Sequence, residues 1–205
     1  MSFDKLFDES ELPFVLSQAK TISKEECRAI YDYMKEYKPK TILEFGVQYG
    51  CSTRVFLEIA KWLDMDIDLH SWDIVDEIKK VCVRKSDFTF HKQDISGKEE
   101  ETILEYKPDM VFLDAHPYYL TKELMQVCLK HKINFLTHDV ATGLYEVLRE
   151  RSNNFKNLNA YGAWELYILM ELFSDKLLTE DHYEDDKVKI DCIRDKWGLS
   201  VVLVK

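Results

Sequence analysis

Glycine and proline are scarce in this chain, six and four among 205 residues. It has no internal repeat and no low-complexity segment, so a solenoid or multidomain array is a poor description of it. No apolar run approaches the roughly 20 residues that cross a membrane, and the start, Met1 to Glu9, lacks a secretory apolar region. A soluble protein that stays in the cytoplasm is expected. Positive charge is also in deficit: 28 Lys plus Arg against 38 Asp plus Glu leave a net charge of −10. Nucleic acid phosphates and anionic lipid surfaces both need a basic face, so neither is an expected partner. The five cysteines are odd in number, scattered and without C-x-x-C spacing. This argues against a disulfide scaffold or a zinc knuckle and reads them as reduced core thiols. What remains is an ordinary composition, 46% apolar, long enough to bury a large core.

Residues 1–22 have little periodicity and are expected to form an arm or lid, with residues 23–205 as the main domain. Ser23 and Glu26 make a capping box ahead of a helix carrying Cys27, Ile30, Tyr33, Met34 and Tyr37 on one face, stopped by Pro39. Strands then alternate with helices. Strands are expected over 41–47, 67–74, 88–93, 110–113 and 133–137, and helices over 52–63, 76–85, 99–107 and 120–130. That rhythm specifies a doubly wound α/β fold with a parallel sheet covered on both faces. Helices are further expected over 144–150 and 163–173. Two final β-rich runs, 188–193 and 199–204, are separated by five residues, too few for a crossover, and must pair antiparallel. The sum is a Rossmann-like, mostly parallel sheet of seven strands ending in an antiparallel hairpin.

Ligands of open α/β sheets bind where strand C-termini meet helix N-termini, usually after the first strand. That turn reads Leu43-Glu44-Phe45-Gly46-Val47-Gln48-Tyr49-Gly50-Cys51-Ser52-Thr53. Gly46 permits close backbone approach, and Gly50 a tight turn into a helix whose free N–H groups face the ligand. A dinucleotide site needs G-x-G-x-x-G, and Glu44 would repel a pyrophosphate while suiting a cation. No G-K-S/T follows, so a Walker loop is absent.

These residues resemble the E-x-G-x-x-x-G-x-S/T first motif of class I S-adenosylmethionine-dependent methyltransferases, and the order of elements is similar from Ser23 to Lys205. The resemblance implies that Gly46 and Gly50 border the methionine part of the cofactor and that Glu44 helps hold its ammonium group. Ser52 would sit near its carboxylate. Asp73, ending the second strand, would bind the ribose hydroxyls, and Asp94, after the third, would meet the adenine amino group.

The fourth and fifth strands end in Asp114-Ala115-His116 and His138-Asp139, beside the first turn. Carboxylates and a His at adjacent strand tips suit a divalent cation that lowers the pKa of a hydroxyl, and His116 suits the proton's acceptor. The run V-F-L-D-A-H resembles the fourth-strand motif of metal-dependent small-molecule O-methyltransferases of the catechol and macrolide-sugar types. This implies Asp114 as the first magnesium ligand and Asp139 as one of an acidic pair, with His138 in the other member's place. His116 resembles the base, one residue nearer than in the usual D-x-x-H. The expectation is therefore catalytic Asp114 and His116, with Mg2+ or another divalent ion on Asp114, Asp139 and His138.

The expected reaction is methyl transfer to a hydroxyl of a small molecule, sugar-like or natural-product-like, by a protein that can form a homodimer. Selectivity is expected from the arm, the segment after Tyr118, and residues 152–164 with their asparagines, Tyr161 and Trp164. Two other readings stand beside it: a noncatalytic cofactor-binding module, and an NAD-dependent oxidoreductase, against which Glu44 and the missing third glycine count.

Overall fold

Thr41–Phe45 (β1), Asp68–Asp73 (β2), Thr89–Lys92 (β3), Met110–Leu113 (β4) and Phe135–His138 (β5) lie side by side as a parallel sheet in a computed structural model of the chain. The structure describes residues 2–19, 22–140, 164–195 and 197–205. Leu199–Val204 (β8) pairs antiparallel with β5, and Val188–Ile193 (β7) with β8. An eighth strand, His182–Glu184 (β6), closes the edge against β7, so the sheet runs β3-β2-β1-β4-β5-β8-β7-β6. This corrects the expected seven strands: a three-residue edge strand is too short to show alternation, and His182 is held there by Asp191 at 2.7 Å.

Residues two apart on a strand share a face, and two cores follow from that. Leu43, Phe45, Val111, Leu113 and Phe135 pack on Glu99–Tyr106 (α5), Tyr118–His131 (α6) and Glu165–Leu172 (α7). The intervening Ile42, Met110, Phe112 and Leu136 face Lys24–Tyr37 (α3) and Cys51–Trp62 (α4). The arm is helical, Phe3–Glu9 (α1) and Leu12–Ala19 (α2), and its Phe3, Phe7, Leu12, Val15 and Leu16 are buried in this second core. Asp4 reinforces it with an ion pair to Arg28 at 2.6 Å.

The capping box of α3 is present: Ser23 Oγ accepts from the Glu26 N–H at 3.1 Å and Glu26 Oε2 from the Ser23 N–H at 2.6 Å. All five cysteines are buried thiols, none in a disulfide. The helix expected over 76–85 is not there; the segment is irregular, with one 3-10 turn at Lys85–Asp87. Its apolar residues face different ways, Val81 exposed and Cys82 and Val83 buried, while the Lys79 N–H donates to the Tyr49 carbonyl at 3.2 Å. Anchoring to the β1–α4 turn supplants a helix too short to stand alone. The helix expected over 144–150 lies outside the described residues. So does most of 152–164; Trp164 itself is buried, edge-on to Tyr118 at 5.7 Å. No described helix is long and apolar enough to cross a membrane.

Candidate active site

The sheet order reverses between β1 and β4, and at that switch point the C-terminal ends of β1 to β5 surround a cavity of about 610 Å³. Phe45, Gly46 and Gln48 line it after β1, Trp72 and Asp73 at the end of β2, and Gln93 and Asp94 after β3. Asp114, Ala115 and His116 line it after β4, Asp139 after β5, and Trp197 from the β7–β8 turn. Of the residues singled out in the sequence, Gly46, Asp73, Asp94, Asp114, His116 and Asp139 thus share one cavity. Glu44, Gly50, Ser52 and His138 are not in its lining.

Asp73 is the hub of one half. Its Oδ2 accepts from the N–H groups of Val47 at 3.0 Å and Gln48 at 2.9 Å, and Oδ1 from Val75 at 3.0 Å. Gln48 carries a positive φ of 45°, the bend that turns these donors inward. Trp72 forms the floor, stacked on His91 at 4.2 Å and 10° and on Phe45 at 5.1 Å. Asp94 caps its own turn, accepting from Ser96 N–H at 2.9 Å, and this bond holds its carboxyl below the usual value.

Glu44 shares the face of Ile42, so it points beneath α4. It is fully buried and accepts from the hydroxyls of Ser52, Thr53 at 2.7 Å and Ser71 at 2.6 Å. Gly50 begins α4 at φ 84°, where a Cβ would come within 2.5 Å of the Val83 side chain. Burial pushes the Glu44 carboxyl up to about 7, the three hydroxyls only partly offsetting it. Because the folded value exceeds 4.5, Glu44's contribution to stability is full below that pH and is lost as pH rises through about 7. The loss amounts to about 3 kcal/mol. Urea unfolding of wild type and Glu44→Gln from pH 4 to 8.5 should show their stability difference shrinking by that amount; a difference independent of pH contradicts the assignment.

The other half is ionic. His138 is buried, with Nδ1 3.1 Å from Asp139 Oδ1 and 3.5 Å from Asp114 Oδ1, and Nε2 3.8 Å from Glu26 Oε2. Burial pulls its imidazolium down, but the carboxylates of Asp114, Asp139 and Glu26 outweigh this and hold it well above the ordinary histidine value. His116 Nδ1 lies 3.7 Å from Asp139 Oδ2 and 3.9 Å from Glu165 Oε1. Glu165 has no exposure, and burial, then Asp139 and Asp114, raise its carboxyl well above the usual range. Asp139 itself sits at φ 61°, a left-handed conformation tolerated by Asp and met at sites where geometry is imposed. Donor atoms of Asp114, His116 and Asp139 lie within 4.8 Å of one another, so this trio, with His116 in place of His138, has the spacing of ion ligands.

No protein-family profile and no curated protein matches the chain. Solved structures do. An O-methyltransferase from Bacillus cereus in complex with SAH superposes with a TM-score of 0.63 at 14% identity, over 98% of this chain and 96% of that one. TomG from Streptomyces achromogenes, an O-methyltransferase involved in tomaymycin synthesis and solved with SAM, gives 0.60 at 15% identity, over 99% and 89%. The SAH-bound Podospora anserina methyltransferase PaMTH1 gives 0.58 at 14%, over 98% and 93%. The chain has the fold of these methyltransferases.

Within that methyltransferase fold, two site residues escaped the sequence reading. Glu26, read as a helix cap, also accepts from the Gly198 N–H through Oε1 at 2.6 Å, tying α3 to the hairpin turn that carries Trp197. Glu165, the only acid in the apolar run of α7 before Glu171, enters the ionic cluster from a third direction. An acid at the start of an otherwise buried helix was the available signal.

Proposed function

We propose that the chain is an S-adenosylmethionine-dependent methyltransferase acting on a hydroxyl of a small molecule, assisted by a divalent ion. What carries the reading is the convergence of Gly46, Asp73 and Asp94 with Asp114, His116 and Asp139 in one cavity at the switch point. Its 610 Å³ falls within the roughly 300–1,000 Å³ typical of small-molecule sites. Its acids suit a cationic cofactor. When bound, S-adenosylmethionine supplies an electrophilic methyl group on a sulfonium. In this reading Asp73 holds the ribose hydroxyls and Asp94 the adenine amino group. Glu44, saturated by three hydroxyls, braces the turn on which Gly46 lies.

The residues also fit an ion. Asp114 Oδ1 is buried without a hydrogen-bond partner, and Asp114, His116 and Asp139 present ligand atoms at the required spacing. Such an ion would lower the pKa of an acceptor hydroxyl so that it ionises near neutral pH. His116 then serves as a donor to the ion. The chain's remaining task is alignment of acceptor oxygen, methyl and sulfur for in-line displacement, with water excluded.

Calorimetry should detect SAH binding to the purified protein, and radiolabelled S-adenosylmethionine should transfer its methyl group to a hydroxylated acceptor from a small-molecule panel. Excess EDTA should abolish transfer, and undiminished turnover in EDTA removes the ion from the reading. A folded protein that binds neither SAM nor SAH but is stabilised by NAD overturns the whole of it.

A further inference from the structure

Cys51 and Cys82 meet across 31 positions of sequence, the Cys51 thiol donating to Cys82 Sγ at 3.4 Å. Both are buried, and neither lines the cavity. Cys51 opens α4 directly after Gly50, whereas Cys82 lies in the irregular connection between β2 and β3. That connection is fastened to the β1–α4 turn. The Lys79 N–H donates to the Tyr49 carbonyl at 3.2 Å, the Lys79 ammonium stands 3.6 Å from the centre of the Tyr49 ring, and Val83 packs against Gly50. Its first residues, Ile74, Val75 and Glu77, form the cavity wall beside Asp73. A covalent bond between the two sulfurs would therefore pin that wall to the start of α4.

Little movement is needed to make it. A disulfide is about 2.05 Å long, and the sulfurs already point at each other from 3.4 Å. Cys51 is fixed by the packing of α4, but the Cys82 side has no helix or strand that an inward shift would break. Access is also provided for. Lys79, Lys80, Val81, Arg84 and Lys85 around Cys82 are exposed, and an irregular segment so bounded opens locally at lower cost than the sheet beneath it. Cys192 differs, because its Sγ faces Ser200 Oγ at 2.9 Å, a hydroxyl that forms no such bond.

We propose that Cys51 and Cys82 are a redox modification site, a thiol pair that peroxide converts into a disulfide clasp on the cavity wall. The proposal goes beyond the methyltransferase reading and does not depend on it. The chemistry balances in two steps. One thiolate sulfur attacks the peroxide, an S–O bond forms as O–O breaks, and the departing hydroxide takes up a proton to leave as water. The second thiol attacks that sulfur, S–S forms as S–O breaks, and a second water leaves. Two thiols thus give up two electrons and two protons, and one peroxide becomes two waters. A dithiol reductant reverses the bond.

The test treats the reduced full chain with a small excess of hydrogen peroxide. Thiol titration after denaturation should fall from five to about three per chain and recover in dithiothreitol. Peptide mapping should find Cys51 joined to Cys82 within one chain. The oxidised protein should show a Tm about 5 °C or more above the reduced form, as expected for closing a loop of this length. Trypsin cleavage after Lys79, Lys80, Arg84 or Lys85 requires the segment to open, so it should slow at least tenfold. Cys51→Ser and Cys82→Ser should each keep all remaining thiols under peroxide, while Cys192→Ser should respond like wild type. Should either serine variant fail to fold, the wild-type peptide map decides alone. Five thiols surviving the treatment, a bond mapped to another pair or between chains, or a Tm and cleavage rate unmoved by oxidation overturns the proposal.

Discussion

Alanine at Asp73 is expected to weaken SAH binding at least about 100-fold in calorimetry while the far-ultraviolet circular dichroism stays native. A carboxylate that accepts from both hydroxyls of a ribose makes two charge-assisted bonds, each contributing about 1.5–3 kcal/mol, and their combined loss is of this size. The structure adds a second reason. Asp73 also accepts from the N–H groups of Val47, Gln48 and Val75, so its removal leaves three donors unpaired around the β1 turn. The turn would then have to reorganise before any ligand could bind. Asp73→Asn, which keeps acceptor oxygen but loses charge, should fall between the two. Folded Asp73→Ala that binds SAH within about threefold of wild type would mean that the ribose does not lie at the end of β2.

The elements that the sequence and the structure place identically are those whose signal is local. β4 is an uninterrupted apolar run after Pro108 and Asp109, β7 alternates apolar residues with Lys189 and Asp191, and β8 is apolar but for Ser200 and follows Gly198; each begins and ends at the expected residue. Cavity residues on strand ends were legible for a related reason: in a parallel sheet every C-terminal strand tip faces the same edge, so position along the chain implies position in the site. What was not legible depends on contacts distant in sequence. Glu44 was assigned to the cofactor from a motif, although the alternation of Ile42, Leu43, Glu44 and Phe45 already puts it on the α4 face with Ile42. The apolar residues of 76–85 suggested a helix because nothing local discloses the Lys79 to Tyr49 bond. Glu26 works at two ends of the chain at once, and Glu165 reaches the site only because α7 packs beside the tips of β4 and β5. Buried acids inside apolar patterns are where local rules and tertiary demands part, and here Glu26 and Glu165 meet the ionic cluster while Glu44 is met by three hydroxyls.

Replacing Gly46 with alanine is expected to destabilise the fold by about 3 kcal/mol or more, and for a reason that also concerns function. Gly46 occupies φ 93°, outside the range an L-residue adopts readily, which alone costs an alanine about 1–2 kcal/mol. In addition its Cβ would overlap the carbonyl oxygen of Asp114, lie within 2.5 Å of the carbonyl carbon, and stand 3.0 Å from Ala115 N. None of these is the movable end of a side chain. They belong to the end of β4, whose Asp114 N–H is bonded to Phe45 O at 2.8 Å, so relief requires β1 and β4 to part where they are paired. Gly97 supplies the control: its φ is 80°, but nothing lies within 4 Å of a Cβ built there, so Gly97→Ala carries the backbone penalty without the collision. Urea unfolding should therefore show Gly46→Ala losing at least about 2 kcal/mol more than Gly97→Ala, the difference expected for overpacking against backbone. Equal losses would mean that the approach of the two strand ends is looser than the structure has it. The functional consequence follows from where the parting would occur. Gly46 borders the Asp73 half of the cavity and Asp114 opens the ionic half, so on the proposed function whatever separates them would also separate the cofactor from the groups assigned to its acceptor. SAH affinity and methyl transfer should accordingly fall in Gly46→Ala, even in the fraction that remains folded, and should persist in Gly97→Ala.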